Sequence, residues 1–308
     1  MSAGVRDIED LEGGKLSFSA EELGEMRPSL LSWYTANRRL FPWRGDAGEG
    51  YKARPCTAYG TWVSEIMLQQ TRTETVIPYW NRWMDKWPTV QDLAAASPEE
   101  VNSMWAGLGY YRRAQQLLQG ARVVANELDA VVPQTAAELL SVPGIGPYTA
   151  GAISSIAYGQ VEPVVDGNVI RVLSRLRALK EQMGTGLTKE CWRLAHEIVD
   201  PIKPGDFNQS LMELGSTICK PLNPDCSSCP LSKMCVAKAC QDRQSDRVVT
   251  AYPVKAEKKP PKKLFFNVHV FFRNCSSGLN PEEGLEFLLL KRPGQGLLAN
   301  QWEFPTMS

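Results

Sequence analysis

Four cysteines lie close together in the stretch ICKPLNPDCSSCPLSKMC, and sulfur side chains at this density bind metals or form disulfides. They are Cys219, Cys226, Cys229 and Cys235, separated by six, two and five residues. Such a set suits a disulfide framework, a zinc site or an iron–sulfur cluster. The N-terminus has no apolar run typical of a signal peptide, so we expect a reducing compartment, in which metal ligands are more common than disulfides. The other four cysteines lack such spacing and are expected to be ordinary thiols.

Two carboxylates occupy positions that suit acid–base chemistry. Glu65 lies in TWVSEIMLQQT, where apolar residues go nearly all the way round a helix. Burial there would raise the pKa of the carboxyl and favour a general acid near neutral pH. The alternative is a glutamate on a solvent-facing stripe of the helix. Asp166 precedes Gly-Asn and a helix in VVDGNVIRVLSRL, where the plain interpretation is a helix N-cap.

The segment SVPGIGPYTAGAI, residues 141 to 153, is suited to binding phosphate. Helical patterns lie on both sides of Pro-Gly-Ile-Gly, which predicts a tight hairpin through Gly144 and Gly146 and a second helix starting near Pro147. Glycines let the backbone approach a ligand, and the first-turn amides of a helix point toward an anion. Such a hairpin binds phosphate without net positive charge, and the net charge here is zero. The alternative is a plain connection between helices.

A body of helices must position these segments. Apolar residues recur at three- and four-residue spacing from Pro28 to about Lys238, which predicts an all-α domain over residues 28–240. One predicted helix runs from Thr61 to Trp87 and carries Glu65.

The flanking segments differ from this body in composition. Residues 1–27 are rich in acidic side chains, and we expect a flexible leader. Residues 241–263 are polar and basic, which favours a solvated linker, with a nuclear-import signal as the alternative. Residues 264–308 contain two strand-like runs, too few to close a core, so they are expected to begin a second domain. No window is long and apolar enough for a membrane span.

The motifs taken together carry a family resemblance. They are FPWR (41–44), VSEIMLQQT (63–71), WAGLGYY (105–111), VPGIGPYTAGAI (142–153), VVDGNVIRVLSR (164–175), FNQSLMELG (207–215) and the four cysteines. In this order they resemble the MutY-type adenine DNA glycosylases of the helix–hairpin–helix glycosylase superfamily. The resemblance implies an all-α fold with two helical modules flanking a DNA cleft, a helix–hairpin–helix element and a [4Fe–4S] loop. The tail LLLKRPGQGLLANQWEFP is similar to the opening of a MutT-like domain, which implies a partial α+β fragment over 264–308.

The resemblance also implies chemical roles. The four cysteines would ligate a [4Fe–4S] cluster, with zinc as the alternative. Glu65 would protonate adenine N7 and later help to activate water. Asp166, held by Asn168, would stabilise the sugar cation electrostatically or capture it transiently, and Tyr148 would orient both carboxylates. Bifunctional relatives carry a lysine at the position of Tyr148, so the tyrosine implies a monofunctional glycosylase that leaves an abasic site.

The implied substrate is duplex DNA in which adenine is mispaired with 8-oxoguanine or guanine, with the adenine flipped out of the stack. Arg44 and Glu213 match pocket positions near the flipped base. Gln70 and Tyr110 match positions that wedge into the duplex. The MutT-like domain of relatives helps to recognise 8-oxoguanine, and this sequence stops soon after Phe304, so selectivity between the two mispairs stays open.

Two other functions compete with this interpretation. One is a glycosylase for another base, such as thymine in a T·G mispair, and the other is a non-catalytic lesion-binding form. We expect a monomer without membrane contact, replication and repair proteins as candidate further partners, and a nuclear location with the mitochondrion as the alternative.

Overall fold

The computed structural model describes residues 17–243, 248–255, 265–274, 285–293 and 301–307. Its chain contacts divide into two compact units. The first consists of Met1–Leu108 and Arg113–Ala256, and the second of Gly109–Arg112 and Glu257–Ser308.

Helices make up the first unit. Within the described residues they are α1 (Ala20–Asn37), α2 (Ala58–Leu68), α3 (Thr73–Lys86), α4 (Val90–Ala94), α5 (Pro98–Trp105), α6 (Arg112–Glu127), α7 (Ala136–Leu139), α8 (Pro147–Tyr158), α9 (Gly167–Leu176), α10 (Thr185–Ile198), α11 (Pro204–Thr217) and α12 (Val236–Arg243). The predicted all-α body is therefore confirmed.

These helices pack as two groups. In the first group α2 packs on α3 and α8, around four buried tryptophans, Trp62, Trp80, Trp83 and Trp105. The second group combines α1, α9, α10, α11 and α12 around a core of leucine, isoleucine and valine side chains. Helix α11 also packs on α8 and so joins the groups. Because α2, α8, α9 and α11 meet where the groups join, residues distant in sequence come together there.

The first helix begins earlier than the sequence analysis predicts. Ser19 caps α1 by accepting the Glu22 amide, and the Glu22 side chain accepts the Ser19 amide, a reciprocal capping box. Phe18 and Met26 are buried in the core of the second group. The prediction of a flexible leader is thus wrong for residues 17–27, and the earlier part of that leader lies outside the described residues.

The single helix predicted from Thr61 to Trp87 is also wrong, since the chain turns between α2 and α3. Helix α2 ends at Leu68, and Gln70 adopts a left-handed backbone conformation with φ +57°. A residue in that conformation does not continue a right-handed helix. The turn therefore separates Glu65 from the rest of the predicted helix.

Part of the predicted linker packs on the helical unit. Helix α12 continues to Arg243, and the segment 248–255 contains a 3-10 helix with buried Val249. Arg175 Nε donates to Tyr252 O at 3.0 Å. The prediction of a solvated linker is wrong for this segment, and the rest of that linker lies outside the described residues.

Short antiparallel strand pairs form the described C-terminal part. They are β1 (Asn267–Val268) with β6 (Thr306–Met307), β2 (Phe272–Asn274) with β3 (Leu285–Phe287), and β4 (Leu290–Lys291) with β5 (Trp302–Glu303). Each predicted strand-like run is split in two, and many of its apolar side chains are exposed. Assignment of this part to a MutT-like domain stays a prediction. None of the described helices is long and apolar enough to cross a membrane.

Candidate active site

A cavity of about 390 Å³ opens among α2, α8, α11, the start of α9 and the 3-10 helix Pro42–Arg44. Small-molecule sites commonly have volumes of this order. Its lining includes six of the residues predicted from sequence: Arg44, Glu65, Tyr148, Asp166, Asn168 and Glu213. The fold therefore brings together residues spread over about 170 positions of the chain.

Glu65 is buried in the middle of α2, with 5% of its surface exposed. Every residue of α2 from Tyr59 to Met67 is buried, so the predicted apolar surroundings of this carboxyl are confirmed. Burial raises the pKa of Glu65 to about 7, against opposing effects of a Tyr148 hydrogen bond and the Arg44 charge. A carboxyl with this pKa is partly protonated near neutral pH and so suits a general acid.

Tyr148, the second residue of α8, contacts Glu65 directly. Its hydroxyl donates to Glu65 Oε2 at 2.5 Å and lies 3.5 Å from Met212 Sδ. Burial and the neighbouring Glu65 charge raise the pKa of Tyr148 well above its usual value, so the phenol stays a neutral donor. The predicted link from Tyr148 to two carboxylates is seen for Glu65, while Asp166 has different hydrogen-bond partners.

Asp166 is the N-cap of α9. Its Oδ1 accepts the Val169 amide at 2.7 Å, and its Oδ2 accepts Asn168 Nδ2 at 2.8 Å. The N-cap interpretation is therefore confirmed, and the same carboxylate lines the cavity. Donors at a helix N-terminus hold such a carboxylate by charge-assisted hydrogen bonds. One side chain thus serves the fold and presents a negative charge to a ligand.

The side chain of Asn168 is itself fixed by a hydrogen bond from Arg171. Arg171 Nη2 donates to Asn168 Oδ1 at 2.7 Å and to Gly215 O at 2.7 Å, and Arg171 Nε donates to Cys219 O at 2.8 Å. The Asn168 amide consequently has a fixed orientation toward Asp166. The same arginine connects this side of the cavity to the first of the four clustered cysteines.

Glu213 on α11 is held by two arginines. Arg39 Nε lies 2.6 Å from Glu213 Oε1, and Arg44 Nη2 lies 3.2 Å from Glu213 Oε2. Burial acts to raise the pKa of Glu213, but the arginines outweigh it and the pKa lies below its usual value. Glu213 is therefore an ionised acceptor in the cavity wall, and its pKa is shifted in the opposite direction to that of Glu65.

The residues predicted to contact DNA outside the base pocket do not line the cavity; they are Gln70, Tyr110, Gly144 and Gly146. Gln70 is exposed with φ +57°, and Tyr110 is 65% exposed with φ +48°. Gly144 has φ +83°, and a Cβ there would lie 2.8 Å from Gln116 Cβ, so only glycine fits this hairpin. Gly146 is the N-cap of α8, which starts at Pro147 as predicted. Their roles on DNA stay predictions.

Further side chains line the cavity without having been identified from sequence: Arg39, Trp43, Gln209 and Met212. Each lies within or beside a quoted motif, in NRRLFPWR or FNQSLMELG. The signal for Arg39 was its proximity to FPWR. Nothing in the local pattern distinguishes Gln209 from an ordinary helical residue, since its position depends on how α11 packs.

All four clustered cysteines line one small pocket, together with Arg175 from α9. Arg175 Nη1 lies 3.3 Å from Cys219 Sγ. Among the described residues, no three His, Cys, Asp or Glu side chains converge as ligands of one ion. Outside this pocket, Cys56 is exposed and Cys191 and Cys240 are buried, all as free thiols, while Cys275 lies outside the described residues.

Comparisons with known proteins assign the chain to a family. The profile of the HhH-GPD superfamily base excision DNA repair proteins matches residues 63–197. Adenine DNA glycosylase of Schizosaccharomyces pombe is 37% identical over 333 residues, which cover 94% of this chain and 71% of that protein. The chain belongs to the adenine DNA glycosylase family.

Other members and neighbours extend the comparison. Adenine DNA glycosylase of Arabidopsis thaliana is 48% identical over 326 residues, covering 98% of this chain and 49% of that protein. The chain therefore spans about half the length of this family member. A solved structure described as a thermostable thymine-DNA glycosylase superposes with TM-score 0.61 at 28% identity, covering 71% of this chain and 97% of that one. The helical fold is thus shared with a glycosylase that is named for another base.

Proposed function

We propose that this chain is a monofunctional base-excision glycosylase that hydrolyses the N-glycosidic bond of adenine mispaired with 8-oxoguanine or guanine in duplex DNA. The supporting observation is the pair of carboxyls in one cavity, with Glu65 buried against Tyr148 and Asp166 held as a helix N-cap. The relatives named adenine DNA glycosylase support adenine as the base.

Glu65 would supply the proton that makes adenine a better leaving group. Its pKa of about 7 keeps a share of the carboxyl protonated at neutral pH. Tyr148 donates to one oxygen of Glu65, which leaves the other oxygen to act on the base. After the base departs, the resulting carboxylate would accept a proton from the attacking water.

Asp166 would stabilise the positive charge that develops on the sugar. Two donors fix its oxygens, so the charge is oriented before the substrate arrives. Tyr148 provides no amine for a Schiff base, which supports hydrolysis without strand cleavage. Arg44 and Glu213 form a charged wall suited to orienting the flipped base.

Single-turnover release of adenine tests this function. The substrates are duplexes with adenine opposite 8-oxoguanine or guanine, and the variant is Glu65→Gln. We expect release by the parent and a loss of roughly 10²- to 10⁴-fold in the variant, the range for removing a general acid. Tight lesion binding without release by the parent would instead identify the non-catalytic lesion-binding form.

Thymine in a T·G mispair is the second base to test, because the structural neighbour at 28% identity is described as a thymine-DNA glycosylase. The same assay with thymine opposite guanine distinguishes the two substrates. Release of thymine at a rate comparable to that of adenine would contradict the proposed specificity.

The cysteine pocket fits a [4Fe–4S] cluster. The donor set is four thiols that line one pocket, and four thiolates are the ligands that such a cluster would take. Zinc motifs usually come as two short pairs, whereas this loop has only one two-residue gap, and this spacing favours the cluster over a zinc ion. Cys219, Cys226, Cys229 and Cys235 would hold it, and it would fix the loop after α11. Iron, sulfide and zinc analysis of the purified protein separates the two metals.

Double-stranded DNA is the proposed partner, with replication and repair proteins as further candidates. The hairpin through Gly144 and Gly146 would bind the backbone, since the α8 amides lie at its end. The nucleus is the proposed location and the mitochondrion the alternative, which imaging of the tagged full-length protein would decide.

A further inference from the structure

Arg113 lies under the turn that joins α2 to α3, although it is more than forty positions away in sequence. Its side chain is buried, with 8% exposed. Nη1 lies within hydrogen-bonding distance of three carbonyls: Ile66 O at 2.9 Å, Met67 O at 3.1 Å and Gln69 O at 2.6 Å. Nη2 donates to Leu108 O at 3.2 Å and to Thr71 Oγ1 at 3.4 Å. One guanidinium therefore contacts most of the turn.

These carbonyls belong to the C-terminal end of α2. The last carbonyls of a helix have no partner within the helix and carry the negative end of its dipole. Helix α2 has no basic residue in its own last turn. Arg113 from α6 supplies the missing donors and the positive charge. The first carbonyl that it binds is that of Ile66, the residue after Glu65.

The same contacts hold Gln70 in a conformation that a glutamine rarely adopts. Its φ of +57° is disfavoured for residues other than glycine and persists only where the surroundings fix it. Arg113 bonds the residues on both sides of it, Gln69 and Thr71. Gln70 itself is exposed, as a side chain that enters a DNA duplex must be.

We propose that Arg113 is the positioning residue for Gln70: it fixes the 69–72 turn against the end of α2, so that insertion of Gln70 into DNA and placement of Glu65 on the flipped base depend on one guanidinium. The proposal rests on the proposed function for its DNA step. Its structural step, the fixing of the turn, stands without it.

Hydrogen–deuterium exchange tests the structural step. Arg113→Lys keeps the charge but cannot reproduce the planar set of donors. We expect faster exchange of the amides of residues 66–72, including Thr71 N, which donates to Leu68 O at 3.2 Å. Arg122→Lys is the matched control, because Arg122 also lies on α6 and donates to two carbonyls, Ala94 O and Ala96 O, away from this turn. Unchanged exchange at 66–72 in Arg113→Lys would overturn the proposal.

A double-mutant cycle with Gln70→Ala tests the DNA step. The readouts are single-turnover adenine release and the fluorescence of 2-aminopurine placed next to the lesion, which reports unstacking. We expect Arg113→Lys to slow release about tenfold in the parent and less than about twofold in Gln70→Ala, because coupled residues are not additive. Additive effects would show that Arg113 acts apart from Gln70 and would overturn the coupling.

Two outcomes need separate treatment. If Arg113→Lys does not fold, Thr71→Val removes one contact of the guanidinium and is expected to change exchange and unstacking in the same direction. If the parent releases no adenine, the proposed function fails, and faster exchange at 66–72 still supports the fixing of the turn. Unchanged exchange in the folded variants would count against Arg113 whatever the activity.

Discussion

Two of the carboxyls that line the cavity, those of Glu65 and Asp166, occupy opposite kinds of helical position. Glu65 lies in the middle of α2, where the backbone amides are already bonded and the neighbours are buried. Asp166 lies just before α9, where free amides point at it and the Val169 amide binds it at 2.7 Å. The first position disfavours a charge by desolvation, which raises the pKa of Glu65 to about 7, and the second holds the Asp166 carboxylate by donated hydrogen bonds.

This difference shows how one cavity holds an acid and an anion together. The raised pKa of Glu65 and the hydrogen bonds that fix Asp166 follow from the place of each residue along its helix, before any ligand is bound. Tyr148 and Asn168 then fix one carboxyl each, by hydrogen bonds of 2.5 Å and 2.8 Å. Substitutions that act on Glu65 and substitutions that act on Asp166 should therefore have different effects on stability and on the rate of adenine release.

Replacing Asp166 separates its charge from its capping. Asn caps helices about as well as Asp, so Asp166→Asn should lower the free energy of unfolding by less than about 1 kcal/mol. The rate of adenine release should nevertheless fall by roughly 10²- to 10³-fold, because a fixed charge beside the sugar is lost. Asp166→Ala should lose a similar rate and about 1 kcal/mol more stability. Thermal unfolding and single-turnover kinetics of the two variants measure both effects.

An Asp166→Asn variant with near-normal release would contradict the electrostatic role. Asp166 would then be an N-cap that happens to line the cavity. Equal stability of the Asn and Ala variants would show that capping at this position contributes little.

Much of this contrast was predictable from local sequence. The apolar residues around Glu65 predict its burial, and the Asp-Gly-Asn start of α9 predicts the cap. Even the missed start of α1 carried a local signal, since Ser19 and Glu22 have the spacing of a capping box.

Other features could not be predicted because they depend on packing between distant segments. The end of α2 is set by Arg113, which follows it by 45 positions in the sequence. Arg39 and Gln209 reach one cavity because α11 packs on α8 and because Glu213 of α11 pairs with Arg39. Local periodicity contains no information about such contacts.

The pH dependence of stability sharpens the Glu65 side of the comparison. The pKa of Glu65 is raised from 4.5 to about 7 on folding, so the folded state binds an extra proton between these values. The stability that this proton contributes is complete below the unfolded pKa and is lost as the pH rises through the folded pKa. Glu65→Gln removes this loss. The free energy of unfolding of the variant, minus that of the parent, should therefore rise by on the order of 3 kcal/mol between about pH 4.5 and pH 8.

Urea unfolding of both proteins across this pH range measures the difference, and titration of all other groups cancels between them. A constant difference would mean that Glu65 titrates alike in the folded and unfolded states. The raised pKa of Glu65, on which its role as a general acid depends, would then be contradicted, and the contrast with Asp166 would disappear.

The smallest expected effect on the rate comes from Gly215, which packs against Asn168, the hydrogen-bond partner of Asp166. Gly215 on α11 lies so close to α9 that an added Cβ would be 2.6 Å from Asn168 Cβ and 3.0 Å from Asn168 O. Gly215→Ala should displace Asn168 and hence the Asp166 carboxylate, which slows adenine release about tenfold. Its clash, of about 1–3 kcal/mol, is partly offset by the better helix propensity of alanine.

Gly24→Ala is the matched control, because Gly24 is also helical and an added Cβ there meets nothing within 4 Å. It should raise stability by up to about 1 kcal/mol and leave the rate unchanged. The pH dependence of stability attributed to Glu65 should stay the same in Gly215→Ala, since that substitution acts on the other carboxyl. A shifted pH dependence of stability in Gly215→Ala would mean that Glu65 and Asp166 are positioned as one unit. Their helical positions would then not act independently.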